Sequence, residues 1–259
     1  MGYTGIMQVR ATIKLLAVAL FLFPLFTIPS PEAAAGDSSQ KTNQLIVVEL
    51  FTSQGCSSCP PADAYLHELA EMDGVLPLSM HVDYWDYIGW KDPFAMPKVG
   101  ERQREYAAHF GLRYVYTPQA VVHGIDQATG SDRRAVGRAI ARLRGKHQVP
   151  IELVKTADGG MAINLPDDPT VEHRARITMV VFDREHQTAI KRGENRGRTI
   201  KYRNVVRGFR PIAQWNGRAA SVPLSARELA SMQGESCAII VQSMRTGHIL
   251  GAAAMPLHN

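Results

Sequence analysis

The stretch Phe51-Thr52-Ser53-Gln54-Gly55-Cys56-Ser57-Ser58-Cys59-Pro60-Pro61 decides how the chain is read. An apolar run, Leu45 to Phe51, leads into it, broken only by Glu49. A segment with helical periodicity, Ala62 to Met72, leads out, carrying Tyr65, Leu66, Leu69 and Met72, with Gly74 as its stop. Two cysteines separated by two residues, where a strand hands over to a helix, read first as a redox pair. A thiolate at a helix start is stabilised by amide N–H groups and the helix dipole. This reading makes Cys56 the attacking thiol and Cys59, one turn on, the resolving one. Pro60 and Pro61 suit the first helical turn, where a missing N–H costs little.

Outward from this stretch, strands and helices alternate. Val75–Val82 reads as a second strand and 96–110 as a second helix closed by Gly111. Thr117–Gly124 reads as a third strand, Ile125–Ala128 as a short fourth, and 132–146 as a third helix. The order is β-α-β-α-β-β-α, which implies a sheet covered on both faces. After Pro150 short strands follow one another: 151–156, 161–165, 175–183, 188–192, 199–215, 219–223, 237–243 and 248–254. Turn signals such as Asn216-Gly217 separate them, which predicts a mainly antiparallel sandwich. Ser225, with Glu228 three residues on, predicts a capped short helix. Residues 45–148 and 149–259 are therefore expected as two domains.

The three elements of this pattern together resemble the thioredoxin superfamily: Cys56-Ser57-Ser58-Cys59 between strand and helix, the element order, and Thr117-Pro118 opening the third strand. The resemblance implies that Pro118 is cis and lies beside the cysteines. It also implies that Thr117 offers backbone groups to an extended peptide, and that Glu49 is a buried acid relaying a proton to Cys59. Read from its residue type alone, Glu49 equally suits a solvent-facing or basic-paired position. At a finer level the chain is similar to a secreted thioredoxin-like family known as domain of unknown function 1223. The matching residues are Glu49 to Asp63, His81 to Asp86, Tyr116 to Gln119 and Gly193 to Gly197. That likeness implies an exported redox-type protein and supplies no substrate.

The compartment follows from the N-terminus. Arg10 and Lys14 precede an apolar run from Leu15 to Ile28, and Ala33-Ala34-Ala35 offers a cleavage site. This is the layout of a secretory signal peptide over residues 1–35, followed by a loose terminus over 36–44. The expected location is periplasmic or secreted, where disulfides persist. No stable membrane insertion is expected after cleavage. The chain has 259 residues, 45% of them hydrophobic and 20% charged, with a net charge of +5. That excludes a disordered chain, and the mild positive charge does not indicate a nucleic-acid binder. Its expected partners are protein thiols or disulfides, without a cofactor.

Other residues compete for attention. Tyr84, Trp85 and Trp90 lie in a loop after the second strand, where ligands of open α/β sheets bind, and they read as substrate-gripping aromatics or a packed lid. His81 and His123 lie near strand ends and, with the two thiols, suggest copper(I) or zinc as a further reading, although no second metal motif supports it. Arg133, Arg134, Arg138, Arg142 and Arg144 form a solvated helix face. The run Arg192-Gly193-Glu194-Asn195-Arg196-Gly197-Arg198 reads as a long hairpin turn or an interface element. Cys237 reads as a buried, inert thiol. The leading function is thiol–disulfide exchange. The rivals are a non-enzymatic binding module and a copper(I)-handling protein.

Overall fold

The structure is a computed structural model that describes Gly2 and residues 44–257. The expected signal segment and mature terminus lie outside these residues, apart from Gly2 and Gln44. Among the described residues, sixteen elements follow in order. The first part comprises β1 (Ile46–Thr52), α1 (Pro60–Ala70), β2 (Val75–His81), a 3-10 turn (Asp86–Ile88), α2 (Pro97–His109), β3 (Gln119–Val122), β4 (Asp126–Thr129) and α3 (Arg133–Leu143). The second part comprises β5 (Glu152–Lys155), β6 (Met161–Leu165), β7 (Ala175–Ala189), β8 (Thr199–Trp215), β9 (Ala220–Leu224), α4 (Ala226–Ala230), β10 (Ser236–Ser243) and β11 (Ile249–Pro256).

Strand β1 sorts its residues between two layers by its two-residue period. Ile46, Val48 and Leu50 pack against α1 and α3, beside Leu66, Leu69, Val136 and Ile140. Val47 and Phe51 face the opposite way, with Val99 and Tyr106 of α2. Glu49 shares that α2 face, and Thr52 shares the α1 face. This alternation decides which helix each polar residue of β1 meets. Strand β1 runs parallel to β2 and antiparallel to β3.

The second half of the chain differs from expectation. Its pattern of short strands predicts a separate sandwich. Instead, β8 joins β2 in parallel through Ser79 and Val205, giving one eight-stranded sheet in the order β11-β10-β7-β8-β2-β1-β3-β4. The expected division at 148/149 is therefore not a division of the sheet. A sandwich survives locally. The three-stranded sheet β5-β6-β9 packs Leu153, Met161 and Ile163 against Ile177, Met179 and Ile239. The segments 175–183 and 188–192, expected as two strands, merge largely into β7, which carries a bulge at Val181/Phe182. Residues 184–187, between the two expected strands, are polar because this half of β7 projects as a two-stranded arm with Thr199–Val205. The predicted cap at Ser225 is present as a reciprocal capping box with Glu228.

Candidate functional site: a covered disulfide over a buried polar cluster

Cys56 and Cys59 form a disulfide with their Cα atoms 5.4 Å apart. The helix begins at Pro60, so Cys59 rather than Cys56 occupies the N-cap position. Pro60 and Pro61 carry no N–H, and the amides of Ala62 and Asp63 donate back to the Cys59 carbonyl. The N–H groups of residues 60–63 are thus absent or engaged with Cys59. Ser58 Oγ lies 3.3 Å from Cys56 Sγ.

Both cysteines are buried, at 1% and 0% exposure. Two loops cover the adjoining backbone. In the first, Trp85 packs on Gly55, where an added Cβ would lie a tight 3.1 Å from Trp85 Cβ. Its indole Nε1 donates to Thr117 Oγ1 at 2.8 Å, next to the cis Thr117–Pro118 peptide. Trp90 Nε1 donates to Gln54 Oε1 at 2.8 Å, and Tyr84 OH donates to Gln103 Oε1 at 3.1 Å. Burial pushes the Tyr84 phenol up to about 12. The three aromatics singled out from sequence are thus hydrogen-bonded parts of a cover, and Tyr87 is the exposed ring of this loop at 82%.

The second cover is the tip of the β7–β8 arm. Asn195 Nδ2 donates to the carbonyls of Gln54 at 3.0 Å and Cys56 at 2.9 Å. Gly193, at φ 73°, lets the turn pass over Trp90, whose Cβ lies 3.2 Å from where a Gly193 Cβ would stand. The Gly193–Gly197 stretch, left without a definite role by sequence, ties the arm to the cysteine loop.

Glu49 is buried and paired. Arg102 Nε and Nη2 donate to its two carboxylate oxygens at 2.5 and 2.9 Å, and Tyr106 OH donates to Oε2 at 2.5 Å. Gln242 closes the network, accepting from Arg102 Nη1 and donating to Tyr106 OH. Burial opposes the Arg102 charge, but Glu49 and Tyr106 outweigh it and hold the guanidinium protonated. Of the two readings of Glu49, the basic pair is the one found.

A different acid lies on the side facing the disulfide helix. Asp63 is 2% exposed, one helical turn after Cys59, and its amide donates to the Cys59 carbonyl at 3.1 Å. Thr52 Oγ1 donates to its Oδ1 at 2.8 Å, while its Oδ2 has no hydrogen-bond partner among the described residues. Burial raises the carboxyl to about 7, against an opposing pull from His81. His81 Nδ1 lies 2.7 Å from Asp92 Oδ2, and its ring meets Tyr202 edge-on at 4.8 Å. His81 Nε2 and Tyr202 OH are likewise unpartnered among the described residues. Burial pushes Asp92 up, but His81 and the amides of Gln54 and Phe94 hold it below the usual range. Sequence reasoning missed Asp63, although a charged residue between Ala62 and Tyr65 on a buried stripe was a signal in plain view.

His81 and His123 are not brought together around the thiols. His123 Nδ1 accepts from Val47 N–H, and the ring neighbours His248. Among the described residues no group of three or more His, Cys, Asp and Glu is arranged to hold a metal. The α3 arginines include surface pairs, Arg133 with Glu68 and Arg142 with Asp126. Cys237 is buried, and burial pushes its thiol up to about 12. Among the described residues no helix is long and apolar enough to cross a membrane.

The family model described as "Protein of unknown function (DUF1223)" matches residues 47–242, which hold the cysteine pair, Asp63 and the arm. This chain belongs to the DUF1223 family. The crystal structure of protein AGR_C_4864 from Agrobacterium tumefaciens is similar, at 33% identity and a TM-score of 0.71. That match covers 83% of this chain and 95% of the other. HBP35 of Porphyromonas gingivalis matches at 13% identity with a TM-score of 0.58, covering 83% of this chain and 75% of that one, a likeness of fold alone. No curated protein matches the DUF1223 chain.

Proposed function

We propose that the protein is an exported thiol–disulfide oxidoreductase that exchanges disulfides with a protein partner through Cys56 and Cys59. The observation that carries this reading is the disulfide at the start of α1, with a buried, half-satisfied acid one turn behind it. The parallel β1–β2 pair, antiparallel β3 and β4 and the cis Thr117–Pro118 peptide support a thioredoxin-like arrangement around it. The export assignment rests on the signal-like N-terminal sequence.

In the reductive direction, the Cys56 thiolate attacks one sulfur of the partner disulfide, and the partner's other sulfur leaves as a thiolate. Cys59 then loses its proton and attacks Cys56 Sγ, which releases the second partner thiolate and closes the Cys56–Cys59 disulfide. The partner disulfide gains two electrons, and the pair loses two. An oxidase runs the same steps backwards. Asp63 takes over the proton-holding role first expected of Glu49. Residues four apart on a helix share a face, and a carboxyl near 7 exchanges protons readily at neutral pH.

The near-complete burial of both cysteines favours a second reading, a binding module that the disulfide merely staples. Measuring the reduction potential of the pair in glutathione buffers, together with exchange by Cys56→Ser, separates the two. A potential between about −120 and −270 mV, with exchange lost in the variant, supports the oxidoreductase. A pair that stays oxidised below about −300 mV and exchanges with nothing identifies a staple.

A further inference from the structure

Beside the disulfide, α1 and the start of β8 enclose a cleft of about 530 Å³. Pro60, Ala64 and His67 form one wall, and Arg198, Ile200 and Lys201 belong to the other. The first wall begins at the residue after Cys59. The second continues the turn in which Asn195 holds the Cys56 carbonyl. The cleft therefore begins at Pro60, next to the cysteine loop.

Its charge is one-sided. From residue 191 to 203 the chain carries Lys191, Arg192, Arg196, Arg198, Lys201 and Arg203 against a single acid, Glu194. Among the described residues only Arg203 of these six has an ion pair, with Glu71 and Glu185. Arg198 and Lys201 are exposed at the cleft. On the α1 wall, His67 Nε2 is buried without a hydrogen-bond partner among the described residues. The wall from Pro60 to His67 is about 10 Å long at 1.5 Å per helical residue, room for roughly three residues of extended chain.

We infer that this cleft receives an acidic extended segment of the partner protein, flanking the partner's own reactive cysteine. This deepens the exchange reading and rests on it. Carboxylates of the segment meet Arg198 and Lys201, and its backbone passes over the apolar floor at Ile200. Opposite charge speeds encounter and fixes orientation more than it adds affinity, so the signature lies in the rate.

The test uses two peptides that differ only in three aspartates or three lysines beside one cysteine, each carrying a neutral 2-pyridyl disulfide. Each is mixed with the reduced protein, and release of 2-thiopyridone is followed. The small neutral reagent 2,2′-dithiodipyridine serves as reference. The expected result is a rate about tenfold or more higher for the acidic peptide at low salt, a gap that shrinks at high ionic strength. In Arg198→Glu/Lys201→Glu the preference disappears or reverses, while the reference reaction and the melting temperature hold. Equal rates for the two peptides, or no peptide reaction while the small reagent still reacts, overturn the acidic-partner inference and leave thiol exchange standing. Failure of all three reagents overturns both.

Discussion

Asn195 is fully buried and donates a hydrogen bond to the carbonyl oxygen of Cys56, 139 residues earlier in the chain. A second bond from the same Nδ2, to Gln54, makes the side chain a strap across the cysteine loop. The arm bearing Asn195 is the outer half of β7 paired with the start of β8, so the strap is anchored in the sheet.

Asn195→Ala removes both bonds, and while the Cys56 carbonyl keeps the Cys59 N–H, the buried Gln54 carbonyl loses its partner, at a cost of roughly 1–3 kcal/mol. The cost falls on the closed form, so the disulfide becomes more accessible. Reduction by dithiothreitol is expected to accelerate about tenfold, with a lower melting temperature. An unchanged reduction rate alongside a lowered melting temperature would show that the strap supports the fold without gating the cysteines.

Asp63→Asn removes the carboxyl that burial raises from 3.8 to about 7. Between those values the folded chain holds a proton that the unfolded chain has released. The stability of the wild type therefore falls as pH rises from about 4 to about 7, and the penalty stays in place above that. The variant is expected to gain on the order of 2–3 kcal/mol relative to wild type between pH 5 and pH 8, read by urea unfolding. Resolution of a Cys56 mixed disulfide should also lose its inflection near pH 7. A rate profile that keeps that inflection in the variant rules Asp63 out of the proton step.

Arg102→Leu strips the partner from a buried carboxylate, which costs roughly 3–5 kcal/mol. Replacing both members, Glu49→Leu/Arg102→Leu, should recover part of that loss. Glu49→Gln should leave the pH dependence of exchange as in the wild type, because Glu49 faces α2 and Asp63 holds the proton. A pH profile altered by Glu49→Gln and untouched by Asp63→Asn would return the role to Glu49.

His123 is held neutral by burial, which pushes it down to about 4, with His248 adding to the effect. Below pH 6.5 the unfolded chain takes up a proton that the folded chain refuses, so stability falls as pH drops toward 4. The loss expected between pH 7 and pH 5 is about 2 kcal/mol. His123→Asn accepts the backbone φ of 55° and removes the titration. Its unfolding free energy should be flatter over that interval. A slope as steep as that of wild type would place the acid sensitivity elsewhere.

The site was legible in the sequence to the extent that its chemistry is local. Cys56 and Cys59 announce themselves by spacing, and Thr117-Pro118 by its place before a strand. Glu49 was visible as an oddity, but its partner was not, because Arg102 comes from α2, 53 residues away. The direction of Glu49 follows from strand alternation, and only the packing of α2 onto that face supplies the guanidinium. Tyr84, Trp85 and Trp90 stood out in the sequence as a loop of aromatics, but their hydrogen-bond partners Gln103, Thr117 and Gln54 lie elsewhere in the chain and could not be read from that loop.

By itself, the sequence determined where most strands and helices begin and end, since periodicity, caps and turn residues act within a few positions. It also determined that two thiols meet at the start of a helix. Tertiary structure alone decided that β8 lies beside β2, that the β7–β8 arm brings Asn195 over Cys56, and that Asp63 is sealed behind Cys59. The pairing of Ser79 with Val205 joins strands 126 residues apart. Such pairings form because burial of both sheet faces outweighs the loop entropy between them, a balance that no local pattern records.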